Sequence, residues 1–89
     1  DTIAPKIVPV NNAAWKRQGS VVIRIADGET GIRSYRGCID GRWVLFKYSS
    51  KTARLTCDLK SEGIGPGKHE VEVEVTDLRG NMRREVFEL

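Results

Sequence analysis

Alternation of apolar and polar residues is the dominant pattern along this chain of 89 residues. It is clearest in two segments, Ser20–Ala26 (SVVIRIA) and Glu70–Asp77 (EVEVEVTD). In the second segment three valines alternate with glutamate and threonine, so a helix would scatter the valines whereas a strand collects them on one face. The many β-branched residues favour the same conformation. Both segments are therefore predicted to be β-strands with one buried and one solvated face.

Turn signals separate these segments from their neighbours. Asp40-Gly41 lies between SYRGCI and RWVLFKY and predicts a two-residue hairpin of type I′. A reversal at 49–51 leads into TARLTCDL, and the glycines and proline of 63–67 predict an exposed loop. A last reversal at 78–81 precedes MRREVFEL. The chain thus consists of short extended segments joined by turns.

The first part of the chain is less regular. Pro5 and Pro9 bracket KIV, which suits a short edge strand because proline cannot donate to a ladder. A helical turn is an option for 11–18. In all, about seven short strands at spacings of roughly 8–12 residues predict an all-β fold, an immunoglobulin-like antiparallel β-sandwich. Its core is expected to contain the apolar side chains Ile7, Val21, Ile23, Ile25, Ile32, Tyr35, Ile39, Leu45, Leu55, Leu59, Val71, Val73, Val75 and Phe87.

Length and charge limit the classes of function. The chain is expected to form one domain over residues 1–89. With 15 basic and 12 acidic residues it has a formal net charge of +3, and because the two signs are interleaved no dedicated basic face and no nucleic-acid partner are expected. No segment approaches the roughly 20 apolar residues of a transmembrane span. The chain begins with Asp1, so we expect a domain cut from a longer precursor whose targeting signal would lie upstream; composition alone leaves export open.

Cys38 and Cys57 raise the question of a disulfide. With the predicted turns, Cys38 lies opposite Trp43 and Trp43 lies opposite Cys57, on one face of a three-stranded meander. Two strand spacings amount to about 10 Å, beyond the limit of roughly 7 Å for a bridged pair. The register therefore favours two reduced cysteines packed against the indole, with a disulfide as the alternative.

Candidate catalytic and metal-binding residues are few. His69 is the single histidine of the chain. The sequence therefore has no pair of histidines at a metal-ligand spacing, and a serine–histidine catalytic pair would depend on His69 alone. It is interpreted as structural. Asp27, Glu29, Asp40 and Asp77 lie beside turns, where a carboxylate ordinarily caps backbone amides; a calcium site built from Asp27 and Asp77 is the alternative. No catalytic, cofactor-binding or metal-binding residue is assigned to this domain.

The chain has more aromatic side chains than its predicted core requires. Trp43 and Tyr48 lie on opposite faces by parity, so they do not form one flat platform. An aromatic strip could bind sugar or peptide, or pack against a neighbouring domain. The candidate interaction surface combines these aromatic residues with nearby arginines: Trp15, Arg36, Arg42, Trp43, Phe46 and Tyr48.

Particular strings along the whole chain resemble one family. They are IAPKIVPVN with the following Trp15, then DGETGIRSYRGCIDGRWVLFKY, ARLTCDL, GKHEVEVEVTDLRGN and the closing Phe87. The Asp-x-x-[Ser/Thr]-Gly-Ile turn, the Ile-Asp-Gly-[Lys/Arg]-Trp hairpin and the Asp-x-x-Gly-Asn turn are its most specific parts. The chain resembles the C-terminal immunoglobulin-like domain attached to lysostaphin-type zinc metallopeptidases (murein endopeptidase-like) of Bacteroides and related bacteria.

The resemblance implies a context rather than a local active site. In that family the zinc ligands and catalytic residues lie in an upstream domain, and no position of this chain matches them. The implied parent is an exported peptidase of the periplasm or cell envelope, with zinc expected only in its peptidase domain. The domain is then expected to pack on or orient the upstream peptidase. The alternative is an independent module that binds peptidoglycan or another glycan, with Arg36, Arg42 and Lys47 beside the aromatic residues.

Overall fold

The computed structural model describes residues 4–26 and 31–89. In this part of the chain short strands account for most of the regular structure. The strands are β1 (Lys6–Pro9), β2 (Ser20–Ala26), β3 (Ile32–Ile39), β4 (Arg42–Val44), β5 (Lys47–Ser49), β6 (Arg54–Asp58), β7 (Glu70–Asp77) and β8 (Met82–Glu88). Between β1 and β2 lie a 3₁₀ turn, Asn12–Ala14, and a single helical turn, α1 (Trp15–Gln18). The helical turn considered for 11–18 is therefore confirmed.

The strands form two antiparallel sheets of four strands each. Sheet I has the order β1-β2-β6-β5 and sheet II the order β4-β3-β7-β8. These are the orders of the two sheets of an immunoglobulin-like sandwich with one strand added beside β3. The predicted fold class is confirmed. The extra strand arises because RWVLFKY divides in two where Leu45 and Phe46 cross from sheet II to sheet I.

The Asp40-Gly41 hairpin joins β3 to β4 as predicted. Ile39 pairs with Arg42 across a two-residue loop. Asp40 has φ 53° and Gly41 has φ 79°. Positive φ at both central positions is the signature of a type I′ turn, whose twist matches that of the flanking strands.

The core lies between the sheets and is made by the inward half of each alternating strand. Eleven buried apolar side chains of the strands meet there with Trp15, Phe46 and Leu59. Ile32 and Phe87 are only partly buried against it. The remaining predicted core residues on the alternating segments are confirmed as buried: Ile7, Val21, Ile23, Ile25, Ile39, Leu55, Leu59, Val71, Val73 and Val75.

Two predicted core residues, Tyr35 and Leu45, are exposed. Leu45 is 47% exposed, and its neighbours Val44 and Phe46 are buried instead, because residues 44 and 46 share the inward side of the chain. Tyr35 is 39% exposed. It lies beyond the part of β3 that β4 covers, so its ring leans on that of Tyr48 at the open side of the sandwich, with centroids 5.8 Å apart.

Candidate interaction surface

The most exposed aromatic side chain of the described residues lies on the edge strand β4. Trp43 is 58% exposed and pairs in register with Cys38 of β3. Gly37 and Ile39 are buried on the inner side of β3, so Cys38 and Trp43 both lie on the outer face of sheet II. Alternation places Leu45 on the same side of the chain as Trp43. An indole and an isobutyl group are thus held side by side in solvent.

A shallow depression of about 260 Å³ adjoins Trp43 and is lined also by Tyr35, Arg36, Leu45 and Phe46. We call Arg36, Trp43 and Leu45, which border it with exposed side chains, the Trp43 patch. The patch is mainly apolar and carries one guanidinium. Residues of this kind, a tryptophan with an arginine, are enriched where proteins bind other molecules.

Phe46 forms the floor beneath this patch through a close approach to Gly37. The Phe46 ring is 3% exposed and lies directly over the Cα of Gly37, in the space that a Cβ at position 37 would occupy. A glycine is therefore required at this point of β3 for the ring to enter the core. The contact fixes the crossover of the chain from β4 to β5 and so the placement of Trp43.

Two residues of the predicted surface, Trp15 and Phe46, belong to the core, so their assignment as exposed aromatic residues is wrong. The Trp15 side chain is fully buried. Its indole Nε1–H donates to the carbonyl oxygen of Val10 at 2.9 Å, and its ring meets Phe87 edge to face at 5.7 Å. The short helical turn before β2 turns this ring inward, where it closes one end of the sandwich.

The structure separates the other predicted surface residues. Arg36 joins Trp43 at the depression. Arg42 points to the loop after β6, where its Nη2 donates to the carbonyl oxygen of Glu62 at 2.6 Å. Tyr48 lies in sheet I and is half-buried. The aromatic and basic residues named from the sequence therefore do not form one continuous surface.

The two cysteines are free, as the sequence favoured, but for a different reason. The pairing of Cys38 with Trp43 is confirmed, whereas the placement of Cys57 opposite Trp43 is wrong: Cys57 pairs with Val21 in sheet I. The cluster of both thiols around one indole does not form. Burial, followed by the charges of Glu62 and Asp58, raises the pKa of the Cys57 thiol to about 11.

A histidine–carboxylate pair links two loops that the sequence analysis treated separately. His69 Nδ1 lies 2.6 Å from Asp40 Oδ2, and Nε2 lies 2.8 Å from the carbonyl oxygen of Gly65. The other oxygen of Asp40 accepts a hydrogen bond from the Glu70 amide at 2.9 Å. Since both ring nitrogens face oxygen acceptors, the doubly protonated ring satisfies this site best.

The chemistry available to this pair is structural. Hydrogen bonding to Asp40 and then to Gly65 raises the pKa of His69, and hydrogen bonding from His69 and then from Glu70 lowers the pKa of Asp40. Because Nε2 is engaged by a backbone carbonyl, it is not directed at a hydroxyl or thiol as a general base must be. No signal in the sequence connects position 40 with position 69, since the contact depends on how β3 and β7 pair.

Asp77, named from the sequence as a capping residue or calcium ligand, caps the turn between β7 and β8. Its Oδ1 accepts hydrogen bonds from the amides of Arg79 and Asn81 at 2.9 and 2.8 Å. Burial opposes its ionisation, but these bonds, chiefly those from Asn81, lower its pKa overall. Asp27 and Glu29 lie outside the described residues, as does most of the Asp-x-x-[Ser/Thr]-Gly-Ile turn.

Within residues 4–26 and 31–89, no three His, Cys, Asp or Glu side chains gather as metal ligands would. No helix in the same ranges is long and apolar enough to cross a membrane. Comparison with family models, curated proteins and solved structures gives no match. The fold and the Trp43 patch are therefore the observations from which a function is argued.

Proposed function

We propose that this chain is a non-catalytic accessory domain that packs through the Trp43 patch against a neighbouring domain of the same polypeptide. The observation that carries the proposal is the 58% exposure of Trp43 on an edge strand, next to Leu45 at 47%. Covering these side chains would remove a large apolar area from water, the main driving force for association. Arg36 at the border would supply hydrogen bonds to the neighbour.

The family resemblance supports a particular neighbour. A lysostaphin-type zinc peptidase domain upstream of this chain, exported to the periplasm or cell envelope, is the partner in this proposal. This domain would orient that peptidase or limit its motion, while zinc and the hydrolytic groups would belong to the peptidase domain. The rigid anchoring of β4 by the contact of Phe46 with Gly37 suits a docking role, because a preorganised surface loses little entropy on packing.

Cys38 provides a direct test of this packing. The thiol is half-buried and lies opposite Trp43, so a covering domain would protect it from a maleimide. Cys57 is buried in sheet I and serves as an internal control. We expect slower labelling of Cys38, resolved by mass spectrometry, in protein that includes the upstream domain. Equal labelling rates with and without that domain would contradict the proposal.

A second candidate function is binding of peptidoglycan or another glycan at the same patch. The depression beside Trp43 and Arg36 favours it, since a sugar ring can stack on an indole while an arginine bonds its oxygens. Sedimentation with purified cell wall tests this function. Loss of binding in Trp43→Ser but not in Met82→Ser, an exposed residue on β8, would support it; no sedimentation of the wild type at low salt would exclude it.

A further inference from the structure

Two arginines lie directly opposite each other on the outer face of sheet I. Arg24 of β2 and Arg54 of β6 are partners in the register of that pair, and both are exposed. Their neighbours in each strand, Ile23 and Leu55, are buried on the inner side. Like charges directly opposite across a sheet repel and destabilise it, so this pairing has a cost that folding alone does not require.

Further cations extend this face across the whole sheet. Lys47 of β5 pairs with Thr56, two residues along β6 from Arg54. Lys6 of β1 is exposed on the outer side, since Ile7 is buried. We call Lys6, Arg24, Lys47 and Arg54 the basic face. Each strand of sheet I contributes one member.

Among the described residues no carboxylate forms an ion pair with a cation of the basic face, although Asp58 and Glu62 line a depression together with Lys47. The two ion pairs of the described residues join His69 to Asp40 and Arg84 to Glu72. Neither pair includes a residue of the basic face. Asp58, on the outer side of β6 at its far end, accepts hydrogen bonds from the turn that follows, from the amides of Lys60 and Ser61.

On the outer face of sheet II the arginines lie next to carboxylates. Arg36, Glu74 and Arg84 follow one another across three strands in register, and Arg84 Nη1 lies 3.8 Å from Glu72 Oε1. Opposite charges therefore alternate on the outer face of sheet II, whereas cations adjoin cations on sheet I. The contrast shows that the clustering of cations is a property of one face and not of the whole surface.

We propose that the basic face binds the headgroup layer of an anionic lipid bilayer. Four strands about 4.8 Å apart make a face roughly 15 Å wide, and its cations are spread in two dimensions. A planar array of phosphates matches that spread better than the single line of charges of an extended polyanion. Single-stranded nucleic acids also need aromatic stacking, and no described residue on the outer side of sheet I is aromatic.

Membrane attachment through this face would leave the Trp43 patch free. Trp43 lies on sheet II, whereas Arg24 and Arg54 lie on sheet I, so the sandwich separates them. The two surfaces meet only at the crossover, where Leu45 and Lys47 line one depression. One side would rest on lipid while the other side stays available to a neighbouring domain or a glycan. The lipid interaction does not depend on the function proposed for the patch, and the two can be tested separately.

Vesicle co-sedimentation tests the lipid interaction. The probes are vesicles of phosphatidylcholine alone and vesicles with about one third phosphatidylserine, at low and at physiological salt. We expect binding only to the anionic vesicles, weakening as salt rises. Each cation contributes about fivefold to the partition coefficient, so Arg24→Gln/Arg54→Gln should lower it roughly 25-fold.

A matched variant separates a specific face from net charge. Arg79→Gln/Arg84→Gln removes two arginines outside the basic face, one in the turn between β7 and β8 and one on β8 of sheet II, and should keep most of the binding. Lys47→Gln is a second variant on the basic face, expected to lower partitioning about fivefold. Thermal melts check folding, and relief of repulsion should leave the Arg24/Arg54 variant at least as stable as the wild type.

Three results would overturn the inference. The first is no difference between neutral and anionic vesicles for the wild type. The second is an equal loss of binding in Arg24→Gln/Arg54→Gln and in Arg79→Gln/Arg84→Gln, which would mean attraction by net charge alone. The third is binding to soluble polyphosphate that outcompetes the vesicles, which would assign the face to a linear polyanion.

Discussion

His69 and Asp40, 29 residues apart in the chain, are joined by a hydrogen bond of 2.6 Å between Nδ1 and Oδ2. The bond ties the β3–β4 hairpin to the start of β7, and the second ring nitrogen ties both to the loop at Gly65. The side chain of His69 is 17% exposed, so solvent reaches the pair and screens it. One titratable ring thus connects three segments of backbone.

Stability should depend on pH through this pair. The pKa of His69 is raised above its ordinary 6.5, so its contribution is complete below pH 6.5 and is lost as the pH rises through the raised value. The pKa of Asp40 is lowered below 3.8, so its contribution is present above pH 3.8 and is lost as the pH falls through the lowered value. The pair stabilises the fold most between these limits.

Melting temperatures of the wild type and His69→Gln measure this effect. The difference between the two proteins should be larger near pH 5 than at about pH 8.5, where the wild-type ring is increasingly neutral. A difference that does not vary with pH would contradict the assignment of a protonated ring.

Because the Phe46 ring lies against Gly37, adding one methyl group at position 37 should strongly destabilise the fold. Gly37→Ala places a Cβ in the space of the Phe46 ring, so we expect the free energy of unfolding to fall by about 1–3 kcal/mol, the usual cost of overpacking. Urea denaturation measures it. Gly65→Ala is the matched control, because its Cβ would meet nothing within 4 Å and should change stability by less than about 0.5 kcal/mol.

The same substitution should destabilise the fold at one tryptophan and leave its stability almost unchanged at the other. Trp15→Phe removes the donor to the Val10 carbonyl and part of a fully buried side chain, with an expected loss of about 1–3 kcal/mol. Trp43→Phe alters an exposed ring and should stay within about 0.5 kcal/mol of the wild type. Equal losses in chemical denaturation would mean that Trp43 is buried in solution.

Thiol chemistry should distinguish the two cysteines. The buried Cys57 thiol has a pKa of about 11, so almost none is thiolate at neutral pH and it should not react in the folded protein. Cys38 should react in the native state, and both should react in urea. Absence of any free thiol before reduction would show a disulfide and refute the register described for β3, β4 and β6.

The sequence predicted those elements whose pattern is local. Alternation located β2 and β7, and the hairpin at Asp40-Gly41 followed from its two turn residues alone. Residues 43–46 are all apolar, so the alternation of apolar and polar positions could not show which of these side chains are buried. The residue that decides it is Gly37, on another strand, where the absence of a side chain admits the Phe46 ring.

The distribution of charge over the two faces of the sandwich could not be predicted from the sequence either. Basic and acidic residues are interleaved along the chain, and no dedicated basic face was expected. Period-two alternation turns Arg24 and Arg54 outward, and the pairing of β2 with β6 then brings them together. Sheet assignment, which depends on long-range pairing, separates them from the glutamates of β7. The expectation of mixed charge therefore holds for sheet II and fails for sheet I.

The crossover at Leu45 and Phe46 also protects the domain from self-association. Because the chain changes sheets there, β4 and β5 are edge strands of three residues each. Edges so short offer few unpaired amides and carbonyls to the strand of another molecule. Pro9 within β1 and the charged residues along β8 discourage pairing at the other two edges. A domain that exposes a tryptophan on one edge strand thus offers little backbone through which its sheets could polymerise.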